Sequence, residues 1–200
     1  MPLSTVTPRI DTEAVLETDR LVLEPLQQRH AALLFSLVAD PEMYRFIPQQ
    51  PPSELAALAA RYQRLQHRAP PVGDEVWLNW AIRLKSSAAY VGLLQATLCQ
   101  RETKAHIAYE IGTLHQRQGY ATEACRRMLT VLFEYPIDRV VAEVDSRNAA
   151  SIALLRRLGF NECGYQENAD HFKGSPSHEF QFIMTAAQYR GTRPAAPLSP

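Results

Sequence analysis

The segment Gln116-Arg117-Gln118-Gly119-Tyr120-Ala121 places a glycine and an alanine where a chain leaving a strand would enter a helix. The apolar run Ile107-Ala108-Tyr109-Glu110-Ile111 precedes it, and an apolar pattern at helical spacing follows. At such a junction the first amides of the helix lack intrahelical partners, and the helix dipole favours negative charge. The chemistry that suits it is phosphate binding. Gly119 permits close backbone approach, Ala121 keeps that approach open, and Arg117 adds a charge-assisted bond. A second constellation is Asn148 with Ser151, one helical turn apart and so on one face. Asn148 stands where a helix takes its N-cap. No GxGxxG or Walker lysine pattern is present, which disfavours dinucleotide and ATP binding.

Length and composition limit the class. Two hundred residues, 46% of them apolar, fit one soluble domain with a sizeable core. Lys plus Arg and Asp plus Glu are both 21, so no net field points to nucleic acid or an anionic membrane. No apolar run approaches the ~20 residues of a membrane-spanning helix, and the N-terminus lacks a signal-peptide core. Cys99, Cys125 and Cys163 are an odd set without CxxC spacing. They predict a reducing, cytoplasmic location and no metal site.

The periodicity predicts the elements that must position these residues. A mobile arm is expected over 1–14, a single domain over 15–189 and a disordered proline-rich tail over 190–200. Residues 16–26 read as a strand, 29–39 as a helix, 43–48 as an aromatic loop, and Ser53 as the cap of a second helix with Leu55, Leu58, Tyr62 and Leu65 inward. Three strands, 76–84, 90–98 and 105–112, follow closely enough to form an antiparallel meander. A long helix over about 120–135 comes next, then a strand over 139–144 and a helix over 148–158 closed by Gly159. Two last strands, 160–166 and 178–184, flank a polar loop.

This order of elements, the run Tyr109-Glu110-Ile111-Gly112, the segment Gln116 to Ala121, and Asn148-Ala149-Ala150-Ser151 through Leu158-Gly159-Phe160 resemble the GNAT superfamily of acyl-CoA N-acyltransferases. Its CoA signature is Gln or Arg, two residues, Gly, one residue, then Gly or Ala; Gln116, Gly119 and Ala121 meet it. Residues 17–23 and 119–124 look like the branch that acetylates N-termini of ribosomal proteins. The resemblance implies an α+β fold, a mixed, largely antiparallel sheet of about seven strands flanked by about four helices. It also implies acetyl-CoA as co-substrate. Contacts are expected from Ile111, Gly112, Gln116, Arg117, Gln118, Gly119, Tyr120, Ala121 and Thr122, and Asn148 is expected to meet the pantetheine arm. Ser151 is either the group that protonates the departing thiolate or an exposed first-turn serine. The tyrosine that many members carry near that position is missing.

Acetyl transfer to an amine needs a group to take the amine's proton, donors for the oxyanion and a donor for the thiolate. Glu110 is the leading base, since burial in an apolar strand would raise its pKa; the competing reading is a solvent-facing residue of an alternating strand. Glu179 and His178 are second choices. The resemblance puts Tyr44, Arg45 and Phe46 beside the acceptor. Trp77 and Trp80 lie on opposite faces of a strand, so at most one joins them, and Trp80 is taken as that one. Phe172 and the loop 168–176 are expected to cover the site. The three cysteines have no step to perform, and Cys125 belongs to a buried helical stripe. The predicted acceptor is a primary amine, a protein N-terminus in preference to a small amine. A non-catalytic acyl-CoA-binding domain is the alternative. A homodimer accords with the family.

Overall fold

A computed structural model describes residues 10–192 of the chain. Among them, eight strands form one sheet in the order β1-β2-β3-β4-β5-β6-β8-β7, with five α-helices. The strands are β1 (Leu16–Glu17), β2 (Leu21–Pro25), β3 (Glu75–Leu84), β4 (Tyr90–Cys99), β5 (Lys104–Ile111), β6 (Arg139–Asp145), β7 (Asn161–Phe172) and β8 (Ser175–Thr185). The helices are α1 (His30–Val38), α2 (Leu55–Leu65), α3 (Tyr120–Leu132), α4 (Ala149–Leu158) and α5 (Ala186–Thr192). Every neighbouring strand pair is antiparallel except β5 with β6.

Strand alternation sends side chains to two separate cores. Leu78, Trp80 and Ile82 of β3 and Phe182 and Met184 of β8 face α3 and α4, whose Cys125, Met128, Leu129, Ile152 and Leu155 they bury. The other face receives α1 and α2, where Leu34, Val38, Leu58 and Tyr62 pack on Ala81 and Leu93. The α3 stripe is the one its periodicity predicts. Gly119 stands at its N-cap, and Gly159, with φ +94°, closes α4.

The fold departs from expectation in five places. The strand expected over 16–26 is broken by a turn, in which Thr18 Oγ1 accepts from Leu21 N–H at 2.9 Å and so competes with the ladder. Residues 10–14 do not hang free: Ile10 and Ala14 pack against the core, and Glu13 pairs with buried Arg68 at 2.7 Å. The rest of that arm, 1–9, lies outside the described residues. Ser53 caps nothing; Glu54 occupies the N-cap of α2 without a side-chain bond. The polar loop expected near 168–176 is instead the end of a long ribbon, closed by Lys173 and Gly174 with φ +53° and +77°, the signs of a hairpin turn. Finally, residues 190–192, assigned to the tail, continue α5, whose Tyr189 stacks on Phe133 at 4.6 Å; residues 193–200 lie outside the described residues.

Strands β4 and β5 approach closely at one point. A Cβ added at Gly92 would lie 2.2 Å from the Glu110 carbonyl oxygen, a contact that only parting the strands relieves. Gly92→Ala is expected to lower stability by about 1–3 kcal/mol, read from the urea midpoint. An unchanged midpoint would show that the strands have slack there.

Candidate active site

Strand β5 is held to β4 along its whole length, from Cys99↔Lys104 to Gly92↔Ile111. Strand β6 is held as completely to β8, from Arg139↔Thr185 to Asp145↔Glu179. Between themselves β5 and β6 pair only over Lys104↔Arg139, Ala105↔Val140 and His106↔Val141, then part. The Gly112 N–H donates to the Val91 carbonyl at 3.0 Å, which sets the alternation along β5. Residues 108 and 110 therefore turn their peptide groups to β4, and 109 and 111 turn theirs into the gap. The gap is lined with backbone donors and acceptors that no strand satisfies.

At the mouth of this gap the chain passes through a 3₁₀ turn, Thr113–His115, and the expected loop into α3. Gln116 Nε2 donates to the Ile111 carbonyl at 3.0 Å and Gln118 Nε2 to that of Leu114 at 3.2 Å. These side chains thus tie the loop back on itself. Gly119 has φ +83° and offers no side-chain cap, while the first intrahelical bond runs from Glu123 N–H to the Gly119 carbonyl. The amides of Tyr120, Ala121 and Thr122 precede that bond and so lack intrahelical partners, the arrangement that an anion site uses. A cavity of about 590 Å³ lies between the β1–β2 turn and α3, lined by Glu17, Asp19, Arg20 and Glu123 as well as by Gly119, Thr122, Arg126, Arg127 and Arg157.

Across the gap, Asn148 is the N-cap of α4, its Oδ1 accepting from Ser151 N–H at 3.1 Å. Ser151 Oγ lies 2.6 Å from the hydroxyl of Tyr109. Burial pushes the Tyr109 phenol well above its usual range, so it stays protonated. A tyrosine hydroxyl is therefore present beside Ser151, supplied by β5 and not by α4.

Glu110 points to the opposite face of the sheet, because its neighbours Tyr109 and Ile111 pack into the core under α3 and α4. No hydrogen bond or ion pair holds its carboxylate among the described residues. Burial raises its pKa, and only the Arg61 charge acts against this. Two tyrosines of the same face sense the carboxylate. Tyr44 is pushed up to about 12, by burial first and then by Glu110, and Tyr62 is raised by the same two causes. The Tyr62 hydroxyl is buried without a partner among the described residues. Tyr44 also lines a cleft of about 620 Å³ bounded by Glu42, Arg45, Phe46, Arg147 and Lys173. Lys173, at the tip of the β7–β8 ribbon, closes this cleft by donating to the carbonyls of Tyr44 and Ile47. Arg147 is fixed by Asp145, with Nη2 to Oδ2 at 2.5 Å, and the buried Ser177 hydroxyl donates to the same oxygen at 2.7 Å.

The other expected acceptor contacts divide. Tyr44 and Phe46 border the cleft. Trp80 does not: it is 2% exposed in the core under α3, and its indole N–H donates to the Ala14 carbonyl at 3.3 Å. Its even position on β3, shared with Leu78 and Ile82, decides this. Glu179 lies on the Glu110 side of the sheet, since Phe180 and Phe182 face the other core. Burial and the carboxylates of Glu143, Asp170 and Asp145 raise its pKa. His178 is committed elsewhere, its Nδ1 accepting from Asn168 N–H at 3.0 Å. Phe172 is buried beneath Arg147, whose guanidinium stands 5.6 Å from the ring centre. Sequence reasoning missed Tyr109, Tyr62, Arg61, Arg147 and Lys173 as neighbours of the site. Only Tyr109, inside the strand already singled out, offered a local signal.

With this geometry in hand, comparison with known proteins gives a consistent answer. Residues 20–161 match the family model of the acetyltransferase (GNAT) domain. The uncharacterized N-acetyltransferase YoaA of Bacillus subtilis (strain 168) is 27% identical over 164 residues, 81% of this chain and 91% of that protein. A probable acetyltransferase (GNAT family) from Chromobacterium violaceum ATCC 12472 superposes with TM-score 0.78 at 26% identity, over 95% of this chain and 96% of that one. Spermidine N-acetyltransferase from Vibrio cholerae, solved with CoA and spermine, shares the fold with TM-score 0.75 at 16% identity, over 86% and 99% of the two chains. The phosphate-type loop, the parted strands and a matched domain model spanning both make this chain a member of the GNAT acetyltransferase family.

Proposed function

We propose that this protein transfers the acetyl group of acetyl-CoA to a primary amine by direct attack within a ternary complex, with Glu110 as general base. One observation carries the reading: Glu110 is a carboxylate of raised pKa with no hydrogen bond or ion pair among the described residues, beside the strand gap and close enough to act on Tyr44 of the cleft. The amides of residues 120–122 receive the pyrophosphate, and Arg126, Arg127 and Arg157 complement the charge of the nucleotide end. Asn148 meets the pantetheine arm. Glu110 takes the proton of the attacking ammonium, the amine nitrogen bonds to the thioester carbon, and a gap-facing amide of β5 meets the oxyanion. The C–S bond then breaks. Ser151 donates its hydroxyl proton to the thiolate as it receives, through the Tyr109 hydroxyl 2.6 Å away, the second proton that the amine nitrogen loses, so both hydroxyls end neutral.

For the acceptor we favour a protein N-terminal amine. The resemblance of residues 17–23 and 119–124 to the N-terminal acetylating branch supports it, as does a cleft of about 620 Å³, room enough for a few residues of extended chain. Short peptides with free N-termini are then expected to release CoA faster than polyamines or single amino acids at equal concentration. A polyamine outpacing every peptide would overturn this choice of acceptor. Tight acetyl-CoA binding without turnover on any amine would leave a binding domain instead.

Glu110→Gln is expected to lower kcat by about 10²–10⁴-fold and to remove the acidic limb of the pH–rate profile, because only the deprotonated carboxylate accepts a proton. A retained limb would transfer the role to Glu179. The same variant tests stability with a definite sign. The folded pKa of Glu110 lies above the ordinary 4.5, so its charged form opposes folding, and the stability its neutral form contributes is lost as pH rises through the folded value. Glu110→Gln should therefore melt higher than wild type at pH 8, the gap narrowing toward pH 4. Ser151→Ala is expected to reduce kcat at saturating acetyl-CoA by about tenfold or more, without weakening CoA binding measured by titration calorimetry.

A further inference from the structure

Glu123 lies in the first turn of α3, at the end of the helix where the phosphates are placed. A carboxylate there gains from the helix dipole, but it competes with a phosphate for the same field. Here its oxygens are already engaged. Oε1 accepts from Thr18 Oγ1 at 2.5 Å and from Arg20 N–H at 3.0 Å, and Oε2 from Arg20 Nε at 2.7 Å. Burial acts against its charge, yet the bonds from Thr18 and Arg20 hold its pKa below the usual carboxylate value. It is thus a permanent negative charge, drawn away from the helix amides and matched by one guanidinium.

The third arm of Arg20 reaches the loop itself. Nη1 donates to the Gln118 carbonyl at 3.0 Å. That carbonyl is thereby turned toward the β1–β2 turn, and in a planar trans peptide the Gly119 N–H must point the other way, outward. The guanidinium stands 4.7 Å from the centre of the Tyr120 ring, and a Cβ at Gly119 would lie 3.3 Å from Nη2, so Arg20 underlies the glycine. The loop needs such anchors. Arg117, with φ +60°, takes a left-handed conformation unfavourable to a residue with a side chain. Gln116 and Gln118 tie the loop from within; Arg20 ties it from the β1–β2 turn, 98 residues away in sequence.

We propose that Arg20 is a positioning residue for acetyl-CoA binding: it sets the outward orientation of the phosphate-binding amides and cancels the Glu123 charge that would repel the pyrophosphate. This rests on the reading that the amides of residues 120–122 receive the pyrophosphate of acetyl-CoA, and extends it to the neighbouring Gly119 N–H. Arg20 touches the loop and not the reacting atoms, so its effect is confined to donors that carry phosphate.

The test compares wild type, Arg20→Met, Arg20→Lys and the double variant Arg20→Met/Glu123→Gln. CoA affinity is measured by titration calorimetry, and steady-state kinetics use acetyl-CoA and S-acetylpantetheine, which lacks the pyrophosphate. Arg20→Met is expected to weaken CoA binding about tenfold or more and to raise the KM for acetyl-CoA in parallel. The KM for S-acetylpantetheine should stay within about twofold. The double variant should recover part of the lost CoA affinity, since the uncompensated charge has gone. Lys keeps the charge without the fork, so Arg20→Lys should fall between wild type and Arg20→Met, and it carries the same comparison if Arg20→Met does not fold. Equal losses on both donors would reduce Arg20 to a general structural residue, as would a double variant weaker than Arg20→Met alone. A wild-type protein that binds no CoA would overturn the phosphate-loop reading as well, whereas wild-type binding unchanged in Arg20→Met and Arg20→Lys overturns only the role of Arg20.

Discussion

Strands β5 and β6 begin side by side and end apart, and the candidate site is built on that divergence. Each strand is committed to a partner on its far side, β5 to β4 and β6 to β8, so beyond His106 and Val141 neither is free to follow the other. A sheet interior normally has no unpaired backbone. Here the C-terminal half of β5 presents peptide groups to an opening, and the helices that follow each strand, α3 and α4, start at its two lips. The helix N-termini, the loop before α3 and the Asn148 cap of α4 therefore converge on one mouth. The topology brings the loop, the two helix starts and the unpaired strand edge together without any special residue in the sheet beyond Gly92, where the strand contact is too close for a side chain.

A second order comes from how charges are settled. Asp145, Glu24 and Glu123 all sit where burial disfavours ionisation, and each is returned to a low pKa by designated partners: Arg147 with Ser177, Arg83 with Tyr90 and His30, and Thr18 with Arg20. These three carboxylates hold loops and strand ends in place. Glu110 is treated differently. Among the described residues no hydrogen bond or ion pair holds it, its neighbours are the phenols of Tyr44 and Tyr62 with the charge of Arg61, and its pKa is raised. Leaving such a group unpaired costs stability, and its retention is the physical basis of the base assignment proposed for it. Glu179 is raised as well, though by the repulsion of other carboxylates in addition to burial.

Much of this was legible residue by residue. The strand before the loop, Gly119 at the turn, the α3 stripe, the Asn148 cap and the Gly159 stop all stand as their local chemistry predicts. The errors have local causes too. The turn at Thr18 hides inside an alternating run because a hydroxyl replaces ladder bonds there. The far end of the β7–β8 ribbon, read as a polar loop between two expected strands, hides because its sequence is polar and the period of two that marks a half-buried strand is missing. Trp80 was placed at the acceptor although the parity of β3 buries it under α3.

By itself the sequence determined most of the helices and strands, a glycine-containing loop at a helix start, and the family to which the motif points. Such features depend on residues within a turn or two of one another, so hydrogen bonding, capping and periodicity decide them locally. Only the tertiary structure decided which distant groups meet. It brought Tyr109 to Ser151 across the gap, Arg20 beneath Gly119, Lys173 onto the carbonyls of Tyr44 and Ile47, and set Glu110 beside the phenols of Tyr44 and Tyr62. These meetings span 42 to 129 residues of chain. No local rule fixes them, because they follow from strand register and from the point at which two strands part.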